Sequence, residues 1–324
     1  MAQNAKVPQE LWASYIVEKL WKENPHLALC YDESAFVKGG AVVYIPQAGA
    51  KPATQKNRNT YPATATKRAD TALVYALDVW TTDPSHLPLG EALEISYDKT
   101  DSVLGEHVST LIEAAGDELI YNWVRAFKPA NNGGVIADNL PASKIVYTSG
   151  KLEDVNPVDG QTGQRNAVTA DDVDLVQAMM NKDNVPKTER YALMESYMYK
   201  QFIKSLSQNQ MSAFQGGADL EKGIVGMYAG FKFLDRSSVL AFSETGEARI
   251  PGEALDGNDN LGCFFWQKNS VTKAMGETHM FDDKGNPLYY GDVFSTLLKF
   301  GGRCRREDWK GVAAIVQTGG AGQD

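Results

Sequence analysis

DSVLGEHVSTLIEAAGDELIYNWVRAF, residues Asp101–Phe127, decides how the rest of the chain is read. Val103, Leu104, Val108, Leu111, Ile112, Ala115, Leu119, Ile120, Trp123, Val124 and Phe127 recur at steps of three and four, which lays them along one stripe of a helix. Glu106, Ser109, Glu113, Asp117, Glu118 and Asn122 fall on the opposite side. Thr100, Asp101 and Ser102 offer oxygens to the free N–H groups of a first turn. Lys128-Pro129, followed by Asn131-Asn132-Gly133-Gly134, supplies a breaker and a flexible turn. A helix over Asp101–Phe127 would be roughly 40 Å long at about 1.5 Å per residue. Such a rod reads as a spine on which other elements hang, although a large core helix of an α/β enzyme fits the same pattern.

N-terminal to the spine, Ala41–Pro46 and Thr71–Trp80 are β-runs. Between them Gln47 to Asp70 carries almost no large apolar side chain, but it carries Lys51, Lys56, Arg58, Lys67 and Arg68 and no acid before Asp70. Such a segment has no core of its own and is expected to project as a long two-stranded arm or loop. With these five cations set aside, the rest of the chain has a net charge of −14 (−9 minus 5). The arm therefore suits an acidic neighbour; a disordered surface loop is the plain alternative. Residues Gln9 to Asn24 form a short amphipathic helix whose Trp12 and Trp21 seek burial against the chain's own body or another subunit. Pro25 to Lys38 reads as an irregular connecting arm, and Thr81 to Leu89 as a turn-rich join.

On the C-terminal side, Ala142–Gly150 reads as a strand ending in a turn and Asp154–Asn166 as a polar loop. Thr169 caps a helix reaching Asn181, with Asp171 and Asp172 at its positive end. Arg190–Met194 is a buried strand, Tyr197–Leu206 a helix, and Gly223–Leu234 β-structure punctuated by glycine. Gly257–Gly262 is a turn before the buried run Cys263–Trp266, Val271–Met275 a short helix or strand, and Leu288–Phe300 and Gly311–Gln317 closing strands.

The totals agree with a folded, soluble chain: 324 residues, 43% hydrophobic and 23% charged, enough for one elaborate domain or two ordinary ones. No apolar run is long enough to span a membrane, and no secretory signal is visible. Cys30, Cys263 and Cys304 are too scattered for a disulfide framework, in keeping with a reducing compartment. A net charge of −9 argues against a dedicated nucleic-acid binder, though not against a protein that surrounds nucleic acid.

No catalytic constellation emerges. Gly223, Gly226 and Gly230 have neither dinucleotide nor P-loop spacing and are better explained by strand bending and close packing. His279 with Asp282 and Asp283 is a formal metal set, but beside Lys284-Gly285-Asn286-Pro287 the acids read as turn chemistry. Arg303, Arg305 and Arg306 around Cys304 would favour a thiolate, yet without a histidine nearby a packed thiol is the better reading. The three arginines are expected to pair with acids of a neighbouring element or subunit. No cofactor and no metal is expected.

Thr148-Ser149-Gly150, Thr162–Thr169, Asp172, Asn181, Asn184-Val185-Pro186-Lys187 and Arg190-Tyr191 resemble the central region of major capsid proteins of tailed bacteriophages with the Hong Kong 97-type coat fold. Gly226–Phe233 followed by Arg236-Ser237 is similar to a later passage of that family, and the order of elements agrees over nearly the whole chain. The resemblance implies an α+β fold: an N-terminal arm over 1–38, an extended β-hairpin loop over 39–88, and a peripheral domain with the spine helix over 89–130. An axial domain with connecting strands follows over 131–262, and a return to the peripheral and axial sheets with a C-terminal tail over 263–324. It further implies self-assembly into hexamers and pentamers of an icosahedral shell around double-stranded DNA, with a portal and no membrane. Contacts between subunits are expected from Trp12, Trp21, Lys51, Lys56, Arg58, Lys67, Arg68, Arg303, Arg305 and Arg306. Because the arm begins almost at once, a separate scaffolding protein is expected. Maturation is expected to be non-covalent, since no partner asparagine or catalytic acid is marked for the loop lysines. An encapsulin-like shell around protein cargo, and a cytoplasmic α/β enzyme using Cys304 or the His279–Asp283 cluster, are the rivals.

Overall fold

Residues Lys99–Val124 form a helix of 26 residues, roughly 39 Å long at 1.5 Å per residue. Val108, Leu111, Ile112, Ala115, Leu119, Ile120, Trp123 and Val124 are its buried face. The spine ends three residues before the expected Phe127. Arg125–Pro129 instead pairs antiparallel with Val135–Asn139, because a chain leaving the helix beside an extended segment completes its backbone hydrogen bonds in a ladder. The computed structural model describes residues 24–38, 42–47, 52–59, 61–62, 65, 67–88, 99–129, 135–155, 160–250 and 253–319. The expected helix over Gln9–Asn24 lies outside them except for Asn24.

The spine packs on a seven-stranded mixed sheet. Its order is Ile224–Tyr228, Phe231–Arg236, Arg190–Glu195, Asn260–Gln267, Val312–Val316 and Ile145–Tyr147, with Leu240–Phe242 also pairing to Asn260–Gln267. The strand Arg190–Glu195 is buried at all six positions, as a central strand covered on both faces must be. Its period of two divides the two cores. Tyr191 and Leu193 face the spine with Phe264 and Trp266, whereas Ala192 and Met194 face the other way with Cys263 and Phe265. Helices Ala170–Lys182, Ser196–Ser205 and Gln208–Gln215 cover that second face.

Thr169 caps the first of these helices in a capping box with Asp172, as its sequence foretold. Gln208–Gln215 was not foreseen; it buries little beyond Phe214 and starts on a Ser207–Gln210 capping box. The run Asp154–Asn166 is not simply a loop, since Leu152–Asp154 and Gln164–Asn166 pair antiparallel. The boundary expected at 262 falls inside the strand Asn260–Gln267.

A five-stranded sheet flanks the spine. Thr272–Asn286 pairs antiparallel with Gly291–Gly301, which also carries Asp78–Thr81 and Ser85–Pro88. Of Val271–Met275, all but Val271 opens a 15-residue strand. The join over Thr81–Leu89 contains an edge strand, where prolines are tolerated. Tyr31–Asp32 adds to the sheet in parallel at Thr272 and Lys273. The arm from Pro25 to Lys38 is accordingly more than a connector: His26, Leu27 and Cys30 are buried. Val37–Lys38, Val42–Gln47 and Thr71–Ala76 form a separate three-stranded hairpin sheet.

Candidate assembly surfaces

The features that suggested chemistry resolve into structure. Cys304 is fully buried, and burial pushes its thiol up to about 11 although Arg303 and Arg306 pull the other way. It is a packed thiol. His279 has Glu277 at 3.6 Å, while Asp283 accepts from Asn286 and Asp292 from the Gly285 N–H, so these acids shape a hairpin turn. Among the described residues no group of three His, Cys, Asp or Glu could hold a metal. Ala229 and Gly230 both have positive φ, the geometry of a tight hairpin turn, and a Cβ on Gly226 would lie 2.3 Å from the Phe214 ring.

A polar hollow of about 470 Å³ opens beside Arg165, between the 243–246 and 258–260 stretches and the strand Val312–Val316. The Arg165 guanidinium is spent on its own loops: it donates to Asn260 Oδ1 at 2.8 Å, Gly257 O at 2.9 Å and Thr162 O at 3.0 Å. It offers nothing to a ligand. No helix among the described residues is long and apolar enough to cross a membrane.

The hairpin is built of Val42–Gln47 and Thr71–Ala76, paired antiparallel. Its base is a small apolar cluster of Val43, Ile45, Tyr75, Leu77 and Ala274. Past that base, Lys56, Lys67 and Arg68 are exposed and Arg58 is half-buried, with Arg68 paired to Asp70. Lys51, Trp12 and Trp21 lie outside the described residues. Opposite in sign is the outward stripe of the spine helix, where Glu106, Ser109, Thr110 and Glu113 face solvent.

The three arginines each find a partner within the chain, at different depths. Arg303 is 1% exposed and donates to the Cys304 carbonyl, which places it in the core and away from a surface contact. Arg305 pairs with Glu33 of the arm at 3.0 Å and covers the Tyr31 ring, while Arg306 makes a two-pronged pair with Asp308. For Arg305 the acid of a neighbouring element is the one it meets.

Two features escaped the sequence. The tip of the hairpin between Thr272–Asn286 and Gly291–Gly301 presents Leu288 and Tyr290, 82% and 83% exposed, and the strand expected from Leu288 begins only at Gly291. The arm leaves the body at a built junction. Asn24 donates to Ile112 O at 3.2 Å and accepts from Arg236, which pairs with Asp117. Gly116 leaves the room: a Cβ there would lie 2.5 Å from Asn24 Oδ1. A small residue on the buried spine face was the available signal.

No protein-family model matches the sequence, and no curated protein does either. Solved structures do. A chain of the cyanophage Pam1 capsid asymmetric unit has a TM-score of 0.60 and 11% identity, covering 91% of this chain and 89% of that one. The capsid of Ralstonia phage GP4 gives 0.59, 11%, 91% and 88%. The head of Helicobacter pylori bacteriophage KHP40 gives 0.58, 11%, 91% and 90%. At such identities the agreement is one of fold. The chain has the α+β fold of the capsid proteins of tailed phages, the Hong Kong 97-type coat fold that its motifs resembled.

Proposed function

We propose that the chain is a major capsid protein whose copies close into rings and tile an icosahedral shell. The observation that carries this reading is the pairing of the fold, matched over about nine-tenths of both chains, with a cationic hairpin loop that shows no core beyond its base among the described residues. A limb of that kind gains little for an isolated copy. Laid across a second copy it brings Lys56, Arg58 and Lys67 to a surface of opposite sign, and the exposed Glu106 and Glu113 of the neighbour's spine supply one. Copies related by rotation meet head-to-tail, so their contacts close. Double-stranded DNA inside, a portal and a scaffold belong to the same proposal and rest on the resemblance. Nothing in the comparisons favours an encapsulin-like compartment or an enzyme.

Electron microscopy of the expressed chain, alone and with the other head proteins, tests the reading; closed shells that package DNA are the expected result. The triple variant Lys56→Glu, Arg58→Glu, Lys67→Glu should keep the folded monomer's circular dichroism and lower particle yield at least about tenfold, because each lost contact is repeated at every copy. Normal particles from that variant would remove the loop from the account.

A further inference from the structure

The N-terminal limb and the extended hairpin meet at one buried carboxylate. Glu33 is 2% exposed and follows the strand Tyr31–Asp32, whose backbone is anchored to the body: Tyr31 N–H donates to Val271 O at 3.0 Å and Glu33 N–H to Lys273 O at 2.8 Å. One carboxylate oxygen lies 3.0 Å from Arg305 Nε. The other accepts from the Tyr75 hydroxyl at 3.3 Å. Arg305 is itself braced, 4.2 Å over the Tyr31 ring and with its guanidinium donating to Asn269 O at 3.3 Å. Tyr75 belongs to the hairpin strand Thr71–Ala76.

The hairpin stands apart energetically. Its apolar base of Val43, Ile45, Tyr75, Leu77 and Ala274 is a cluster distinct from the two large cores. Both ends of the hairpin also pass the same point, since Val37 enters four residues after Glu33 and Leu77 leaves two residues after Tyr75. A buried carboxylate persists only where it is paired, so its partners are constrained together. A change in the lie of the arm segment therefore moves the acceptor of the hairpin's tyrosine.

We propose that Glu33 is the joint through which the N-terminal limb positions the extended hairpin: held by Arg305 on one side, its carboxylate holds the Tyr75 hydroxyl on the other. The assembly role of this joint rests on the capsid reading; the joint itself does not. Glu33 is a positioning residue that acts through Tyr75.

Hydrogen exchange on the full-length chain tests it. In Tyr75→Phe the amides of Val42–Gln47 and Thr71–Ala76 should exchange about tenfold faster or more, the scale of losing one hydrogen bond to a charged acceptor, while Arg190–Glu195 and Asn260–Gln267 keep their protection. Glu33→Gln, close in shape, should loosen the same amides, and the double variant should exceed the faster single variant little, since both remove one link. Unchanged hairpin exchange, fully additive effects or a loss of protection spread evenly over the chain would overturn the joint. Should Glu33→Gln fail to fold, Tyr75→Phe decides alone. Particle yield is read separately. Wild-type chain that makes no shells under conditions that support other head proteins overturns the capsid reading and leaves the exchange result standing. A Tyr75→Phe chain with a loosened hairpin and wild-type particle yield overturns the positioning role.

Discussion

One hydrogen atom at Gly302 sets how closely the spine approaches the sheet. A Cβ there would lie 2.1 Å from the Thr272 carbonyl oxygen and 2.4 Å from Leu119 Cδ1. That same carbonyl accepts the Trp123 indole N–H at 2.8 Å, so backbone and helix cannot both give way without losing a buried bond. Gly302→Ala should therefore cost about 3 kcal/mol, the upper range for overpacking, read as a lower urea midpoint at unchanged slope. A second residue ties stability to pH. Burial first, and then the charge of Arg236, lower the His26 pKa from an ordinary 6.5 to about 3. The unfolded chain takes up this proton below pH ~6.5 and the native chain only near 3. Stability from His26 is thus complete above 6.5 and is lost as pH falls through that window, by up to about 1.4 kcal/mol per pH unit. Glu33, Asp78 and Glu118, whose pKa values burial raises, act in the opposite sense. The clean measurement is the difference between wild type and His26→Gln in urea melts from pH 7 to 4.5. It should shrink steadily with acid, and a flat difference would contradict the assignment.

Elements were legible where their evidence is local. The spine declared itself through steps of three and four, the helix at Ala170 through Thr169 and Asp172, and the strand Arg190–Glu195 through an unbroken buried run. What failed to show was decided by partners distant in sequence. Ser85–Pro88, with its flanking prolines, has the composition of a turn and becomes a strand only because Gly291–Phe294 lies beside it. Arg125–Phe127 continues the helical stripe on paper, and the ladder with Val135–Asn139 overrides that continuation. Among the candidate contact residues the loop cations were legible, since a stretch with almost no large apolar side chain cannot bury itself. The division among Arg303, Arg305 and Arg306 was not. Three like side chains within four positions end up in the core, on Glu33 and on Asp308, and only the course of the arm and of the last crossing decides which goes where. The joint at Glu33 is invisible to any window of sequence for the same reason.

At the scale of the molecule, charge poses a problem for a chain proposed to meet its own copies. Each carries −9, so association gathers like charges unless attraction is local and repulsion is screened. The two differ in range. Repelling charges are spread over the whole surface, while the loop cations would touch their acids directly. At about 0.1 M salt the Debye length of roughly 10 Å already mutes the spread repulsion, and by about 1 M it shrinks to roughly 3 Å and erodes the contacts too. Each exposed pair is worth only about 0.2–1 kcal/mol, but a closed shell repeats it at every copy. Particle yield, followed by light scattering, should therefore rise from about 0.01 M to about 0.1 M salt and then fall about tenfold by about 1 M. The triple loop reversal takes each copy to −15 (−9 minus 6) and removes the attraction, so its yield should show no such maximum and should at most creep upward with salt. A wild-type yield that climbs without turning over would mean that apolar burial alone drives the tiling, since that term strengthens rather than weakens in concentrated salt of the excluded kind. In that case the exposed Leu288 and Tyr290 of the hairpin tip, and not the cationic loop, would become the surface to mutate first.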